Sequence, residues 1–225
     1  LGYGTSILNV DRGYSANLYW NIDEIYYDLL SFSISHNRYK DIPESCFRIK
    51  NLSIITGRLG DEEEISTEDF MKILYTIRTK SDITIIDTRT GLSEITKQAI
   101  RNSTYDLLVF DCDIMHYHMN MLMLEKLKEE FVPEKTIAVI NNTNIKTSSH
   151  KFIYNELKST GMPFKDIIPV SACGYLSNEM MHTNKTPYQL RDERVKDFVK
   201  DMDSLLERLN AKADIKRRLS EFIRK

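Results

Sequence analysis

The chain has 225 residues, a mass of 26.3 kDa and a formal net charge of −2. That length suits one α/β domain or two small ones, and it buries roughly 70% of the unfolded surface without staples. With 41% hydrophobic and 28% charged residues the composition is that of a globular chain, and the near-neutral balance carries no nucleic-acid signature. No run of 18 apolar residues exists to span a membrane. Cys46, Cys112 and Cys173 are odd in number and far apart, which argues against a disulfide framework. The chain begins at Leu1 rather than a methionine, and its 8 glycines include none in a phosphate-cradling loop.

Leu1-Gly2-Tyr3-Gly4 reads as a helix C-cap and turn. Thr5 to Val10 is a short apolar run ending at Asp11, the pattern of a buried parallel strand. Asn21 to Phe32 is aromatic-rich and reads as a helix, and Leu52 to Thr56 as a strand. The acidic run Asp61 to Glu64 is a solvated loop. Ser66, followed three residues later by Asp69, opens a helix whose Phe70, Ile73, Leu74 and Ile77 share one face. Ile83 to Ile86 is a strand ending at Asp87, and after a turn at Gly91 a helix runs to about Arg101.

Asp106 to Phe110 is the next strand, and a Met-rich helix is expected from about His118 to Glu130. Thr136 to Ile140 is a strand ending at Asn141. A helix over 149–160 closes at Gly161, and Asp166 to Val170 is the last clear strand. Helices follow, the longest from about Arg191 to Leu209. Short β-branched strands alternating with helices of about 10–15 residues predict βαβ units and a mostly parallel sheet flanked by helices. The expected organisation is one domain over 1–209 and a basic helix over 210–225.

Three strands end in a polar residue: Asp11, Asp87 and Asn141. Each alone is as well explained by a turn or helix N-cap. In open parallel sheets, however, ligands sit beyond the carboxyl ends of the strands, so three together point to a binding cleft.

These stretches resemble the ParA/MinD-type ATPases, a group of P-loop NTPases with a three-layer α/β sandwich. Ile83-Thr84-Ile85-Ile86-Asp87-Thr88-Arg89-Thr90-Gly91 resembles their Walker B region, and Ile7 to Asn17 resembles their second motif, an apolar strand ending in Asp. Ala138 to Asn142 is similar to the strand whose terminal Asn meets adenine. Ile168-Pro169-Val170-Ser171 is similar to the segment beside the base, and Asn184-Lys185-Thr186-Pro187 to the Gly-Lys-Pro that follows. The match runs over about 1–209 in order and spacing. It departs at Gly13, where part of the family has a second Asp, and at Arg89 and Thr90, which replace the usual prolines. Arg89 either pairs with phosphate or faces solvent. No Gly-x-x-x-x-Gly-Lys-Ser/Thr occurs.

In the family the phosphate-loop strand lies mid-sheet, ahead of the segment that Leu1 to Gly4 resembles. Unpaired strand edges there would cost roughly 1–3 kcal/mol per buried group, so the expectation is a further strand N-terminal to Leu1. The resemblance implies these roles: Asp11 orients or deprotonates the attacking water, and Asp87 holds a water ligand of Mg²⁺. Gly91 admits the γ-phosphate with Thr88 and Arg89 in the switch segment, and Asn141 and Pro169 contact adenine. The implied function is an ATP- and Mg²⁺-dependent dimerisation switch that positions cargo in a bacterial cell: a plasmid, a division-site regulator, or a pilus or secretion apparatus as in CpaE/TadZ-type relatives. The implied protein is a cytoplasmic homodimer with a regulatory protein partner. The alternative is a non-hydrolysing scaffold of the same fold; a ligase-like synthetase ranks lower, for want of a substrate motif.

Outside these motifs, His116-x-His118 lacks a zinc spacing, and Cys112 and Cys173 lack the Cys-x-x-Cys of iron–sulfur relatives. Met115, Met119, Met121 and Met123 read as core filler, with an adaptable partner surface as the alternative. The segment Lys212 to Lys225 carries six basic and two acidic residues, hence +4, which leaves −6 for the rest of the −2 chain. Its Ile215, Leu219, Phe222 and Ile223 share one helical face. It either packs on the domain or lies peripherally on an anionic membrane, with nucleic acid as a third partner.

Overall fold

The computed structural model describes residues 4–10, 47–56, 65–88, 91–143, 149–162, 164–173, 179, 182–183, 185–190 and 192–209. The chain divides into two compact units, Leu1–Asn102 and Ser103–Lys225. Each is α/β, with short strands and amphipathic helices in alternation as the pattern predicts.

The first unit holds a four-stranded sheet in the order β2-β3-β1-β4. Its strands are β1 (Thr5–Asn9), β2 (Phe47–Ile49), β3 (Leu52–Ile55) and β4 (Ile83–Asp87). β1 runs parallel to both β3 and β4, with Leu8 opposite Ile55 on one side and Asn9 opposite Asp87 on the other. β2, which the sequence reading missed, pairs antiparallel with β3 through a tight turn where Lys50 has φ 56°. α1 (Thr67–Lys80) starts where the capping residues predict: the Ser66 hydroxyl accepts from the Asp69 N–H at 3.1 Å and donates to its carboxylate at 2.7 Å. α1 buries Phe70, Ile73, Leu74 and Ile77 against Leu8 and Ile55. α2 (Glu94–Asn102) adds Ala99 to that core.

The second unit holds a parallel sheet, β5-β6-β7, of β5 (Asp106–Asp111), β6 (Thr136–Thr143) and β7 (Asp166–Ser171). Residues 136 to 140 of the central strand β6 are all buried, as a strand covered on both faces requires. Phe110, Ala138 and Ile140 face α3 (Ile114–Leu127) and α4 (Ser149–Ser159). Ile137, Val139, Ile168 and Val170 face α5 (Lys196–Arg208). This unit is therefore a three-layer helix–sheet–helix arrangement.

Several boundaries differ from expectation. α3 begins at Ile114 rather than His118, because Asp113 N-caps it and accepts from the His116 N–H at 3.0 Å. It ends at Leu127 in a 3₁₀ turn over Lys128–Glu130. The C-terminal helix starts at Lys196 after a separate 3₁₀ turn, Glu193–Val195, so it is no longer than α1 or α3. α4 does close at Gly161, whose φ of 68° is the left-handed value a helix C-cap glycine supplies. The expected helix over Asn21 to Phe32 and the basic segment from Lys212 lie outside the described residues.

Met115 and Met119 are not core. They are 71% and 62% exposed, because helical spacing puts them on the side of α3 opposite the buried Tyr117 and Leu124. Met121 does pack against the core cluster.

Among the described strands, β4 and β5 are each an edge of their sheet, and each has an uncovered apolar face. Ile83 and Ile85 of β4 are exposed while Ile86 packs inward. Leu107 and Val109 of β5 are exposed while Phe110 is buried.

Candidate functional site

The carboxyl edge of the first sheet carries a row of polar residues. Asp87 ends β4 and is exposed, directly opposite the buried Asn9 at the end of β1. Thr56 follows β3 one residue beyond Ile55, the partner of Leu8, and so continues the row. Thr56 is 2% exposed and its buried hydroxyl has no hydrogen-bond partner among the described residues. The Val10 N–H donates to the Asp87 carbonyl at 2.9 Å, which carries the β1–β4 pairing to the last residue before Asp11. Sequence reading found Asp87 but not Asn9 or Thr56. The signal for these two is the register, which only the pairing supplies.

Thr88 is half-buried just past the strand, and Gly91 follows at the approach to α2. A Cβ added at Gly91 would meet nothing within 4 Å, so no neighbour in this unit demands glycine there. Ser93 caps α2, accepting from the Thr96 N–H at 3.1 Å. Asp11 and Arg89 lie outside the described residues.

In the second unit Asn141 lies within β6, not at its end, because the strand continues to Thr143 through an irregularity. The pairing with β7 slips between Ile140 and Thr143, and Asn142 takes φ 57° there. Asn141 is half-buried, and its carbonyl accepts from the Cys112 thiol at 3.3 Å. Burial, and then the charge of Asp111, push that thiol's pKa up, so Cys112 is a donor and not a thiolate nucleophile.

Pro169 pairs opposite Ile140 on the edge strand β7, where a residue without an N–H costs no ladder bond. Its ring is exposed. The end of β7 is pinned by α5: Asp201 accepts from the Ser171 N–H at 2.9 Å and from its hydroxyl at 2.6 Å. Asn141 and Pro169 are thus brought to one end of the β6–β7 ladder, as Asp87, Thr88 and Gly91 are to one end of the β1–β4 pair.

No group of three His, Cys, Asp or Glu residues that could hold a metal occurs among the described residues. His116 lies 3.8 Å from Asp111, and His118 packs edge-on against Tyr117. No described helix is long and apolar enough to cross a membrane.

Parallel strands packed with helices, with polar residues at the carboxyl ends of the strands, are the architecture of open α/β folds, whose ligands bind beyond those ends. No model of a known protein family matches the chain, and no characterised protein matches it by sequence. Solved structures do. A ParA-family ATPase from Chlorobium tepidum matches with a TM-score of 0.70 at 14% identity, over 89% of this chain and 85% of its own. The cell-division protein MinD of Aquifex aeolicus matches with a TM-score of 0.68 at 13% identity, over 92% and 85%. A putative plasmid partition protein from Borrelia burgdorferi bound to AMPPNP matches with a TM-score of 0.62 at 20% identity, over 94% and 88%. The fold is therefore of the ParA/MinD type, as the motifs indicate.

Proposed function

We propose that this protein is a nucleotide-dependent switch in which binding and slow hydrolysis of ATP control dimerisation and so position cellular cargo. The observation that carries the reading is Asp87. An exposed carboxylate closes a parallel strand at the edge of its sheet among the described strands, in the order of motifs that ParA/MinD-type ATPases share. The likeness in fold to a division protein, to a ParA-family ATPase and to a putative plasmid partition protein bound to AMPPNP supports it.

Mg²⁺ needs no cage of protein ligands. This ion keeps most of its waters and takes its remaining ligands from phosphate. In this reading Asp87 accepts from a water on the metal, and Asp11 orients the attacking water. Thr88 and Gly91 line the path of the γ-phosphate, and Asn141 and Pro169 contact adenine. Held through Asp87, Mg²⁺ would supply neutralisation of the triphosphate charge, the main requirement of phosphoryl transfer. The uncovered apolar face and open edge of β4 support a further parallel strand there, bearing the phosphate loop. The basic segment 212–225 adds a peripheral hold on an anionic membrane, and a protein partner regulates turnover.

The test uses the full-length protein. Fluorescent ATP analogues should bind in a Mg²⁺-dependent manner, ATP turnover should fall at least about tenfold in Asp11→Ala, and molecular mass should rise with ATP. Binding without turnover would instead favour the scaffold reading. No nucleotide binding at all would refute the switch and favour a scaffold whose nucleotide site is lost.

A further inference from the structure

We propose that Thr56 and Asn9 are positioning residues for Asp87, a buried row that closes when Mg²⁺ and nucleotide bind and fixes the orientation of the carboxylate. The inference rests on the switch reading and extends it to two residues that no motif marks.

Register builds the row. Leu8, Ile55 and Ile86 pack in the core with α1. The alternation of a strand therefore turns their neighbours Asn9, Thr56 and Asp87 to the opposite face of the sheet. One pleat earlier that face is wholly apolar, with Ile7 opposite Ile54 on β3 and Ile85 on β4. At the carboxyl edge it is wholly polar, with Asn9 opposite Asp87 on one side and Thr56 following Ile55 on the other. Neighbouring strands lie about 4.8 Å apart, so a change of rotamer, without movement of the backbone, brings adjacent side chains of the row into hydrogen-bond reach.

The row leads from the candidate site inward. Asp87 is exposed, Asn9 is 0% exposed and Thr56 2%. Thr56 at the inner end has a buried hydroxyl with no hydrogen-bond partner among the described residues. A valine would fill the same volume and leave nothing unpaired. Buried polar groups are almost always hydrogen-bonded, and leaving one unpaired costs more than a typical bond returns, so this hydroxyl calls for a partner that the unliganded site does not give it.

Donor and acceptor chemistry gives the row one direction. A carboxylate only accepts, an amide has one donor end and one acceptor end, and a hydroxyl donates. To serve Asp87, the Asn9 amide turns its NH₂ to the carboxylate, which leaves its oxygen toward Thr56. The Thr56 O–H donates to that oxygen. The reversed amide would set oxygen against carboxylate. Thr56 therefore selects the orientation of the amide, and the amide holds the carboxylate with lone pairs still free for water on the metal. Mg²⁺ demands near-ideal octahedral geometry and keeps several waters, so a carboxylate held in one orientation suits it better than a rotating one.

The test is a Mg²⁺ titration of fluorescent ATP-analogue binding to the full-length protein, with urea unfolding of the same variants without ligand. Thr56→Val should leave the urea midpoint unchanged or raise it, because it removes an unpaired buried hydroxyl. It should raise the Mg²⁺ concentration for half-maximal binding by roughly fivefold, the worth of one hydrogen bond, and leave binding without Mg²⁺ unchanged. Thr56→Ser keeps the donor and should stay within about twofold of wild type. In an Asp87→Asn background Thr56→Val should have no further effect on the Mg²⁺ dependence, since the two act through one contact. A threonine with a merely structural role would move the urea midpoint and not the metal dependence. Equal Mg²⁺ dependence in wild type and Thr56→Val, or a Thr56→Ser that behaves as Thr56→Val does, would overturn the row and leave the switch reading standing. A wild type whose nucleotide binding ignores Mg²⁺ would overturn both.

Discussion

The Asp201–Ser171 contact gives the sharpest test of how the second unit holds its strand ends. One carboxylate oxygen of Asp201 accepts both the N–H and the hydroxyl of Ser171, at 2.9 and 2.6 Å, in a half-buried setting. Hydrogen bonds to a charged group contribute about 1.5–3 kcal/mol each, and partial exposure puts these two at the low end. Asp201→Ala removes both bonds and should cost about 2–3 kcal/mol. Ser171→Ala removes only the hydroxyl bond and should cost about 1–1.5 kcal/mol. The double variant should cost no more than Asp201→Ala alone, a coupling of about 1 kcal/mol. Urea unfolding followed by circular dichroism measures the cycle. Native-state hydrogen exchange at Val170 and Ser171 locates it, because the loss should appear first at the end of β7. Losses that add to within about 0.3 kcal/mol would show that the hydroxyl bond contributes nothing, and the pinning argument would fail.

Two further outcomes follow from the same reasoning. Ser66→Ala should destabilise the chain by about 1 kcal/mol, the usual cost of an N-cap, while Ser66→Asp should recover most of the loss; a urea midpoint that does not move for Ser66→Ala would contradict the capping geometry. Asp106 is buried, which raises its pKa, with its bonds to Ser103 and Lys135 as a partial offset. A raised folded-state pKa contributes stability that is present below the unfolded carboxylate value and lost as pH rises through the folded one. Urea titrations between about pH 3.5 and 6.5 should therefore show wild type losing ground to Asp106→Asn as pH rises, and a constant gap would contradict the burial argument.

Much of the fold was legible because the signals were local. Ser66 and Asp69 marked a helix start, Gly161 marked an end, and apolar, mostly β-branched runs marked six of the seven described strands. β2 was missed because three residues, Phe47 to Ile49, are too few for a period to show; their pairing with β3 is a tertiary fact. α3 was started four residues late because its first turn, Ile114 to Tyr117, has the look of a loop between a strand and a Met-rich run. Only the Asp113 cap distinguishes it. Met115 and Met119 are on the surface because α3 buries the face of Tyr117, Leu124 and Leu127, and which face of a Met-rich helix meets the sheet is a tertiary fact.

The candidate site was legible in position but not in partnership. A parallel sheet aligns the carboxyl ends of its strands, so a polar residue after an apolar run already predicts that Asp87 stands at an edge. Nothing local says which residue stands beside it. Asn9 and Thr56 join Asp87 only because β1 pairs with β4 and β3 in a register that sets Asn9 against Asp87 and Leu8 against Ile55. A shift of one residue would turn Leu8 to the other face, and its burial at 0% exposure in the core of the first unit forbids that shift. The chemistry at the edge is thus positioned by an apolar residue one place away: the hydrophobic core fixes the register, and the register fixes which polar groups meet.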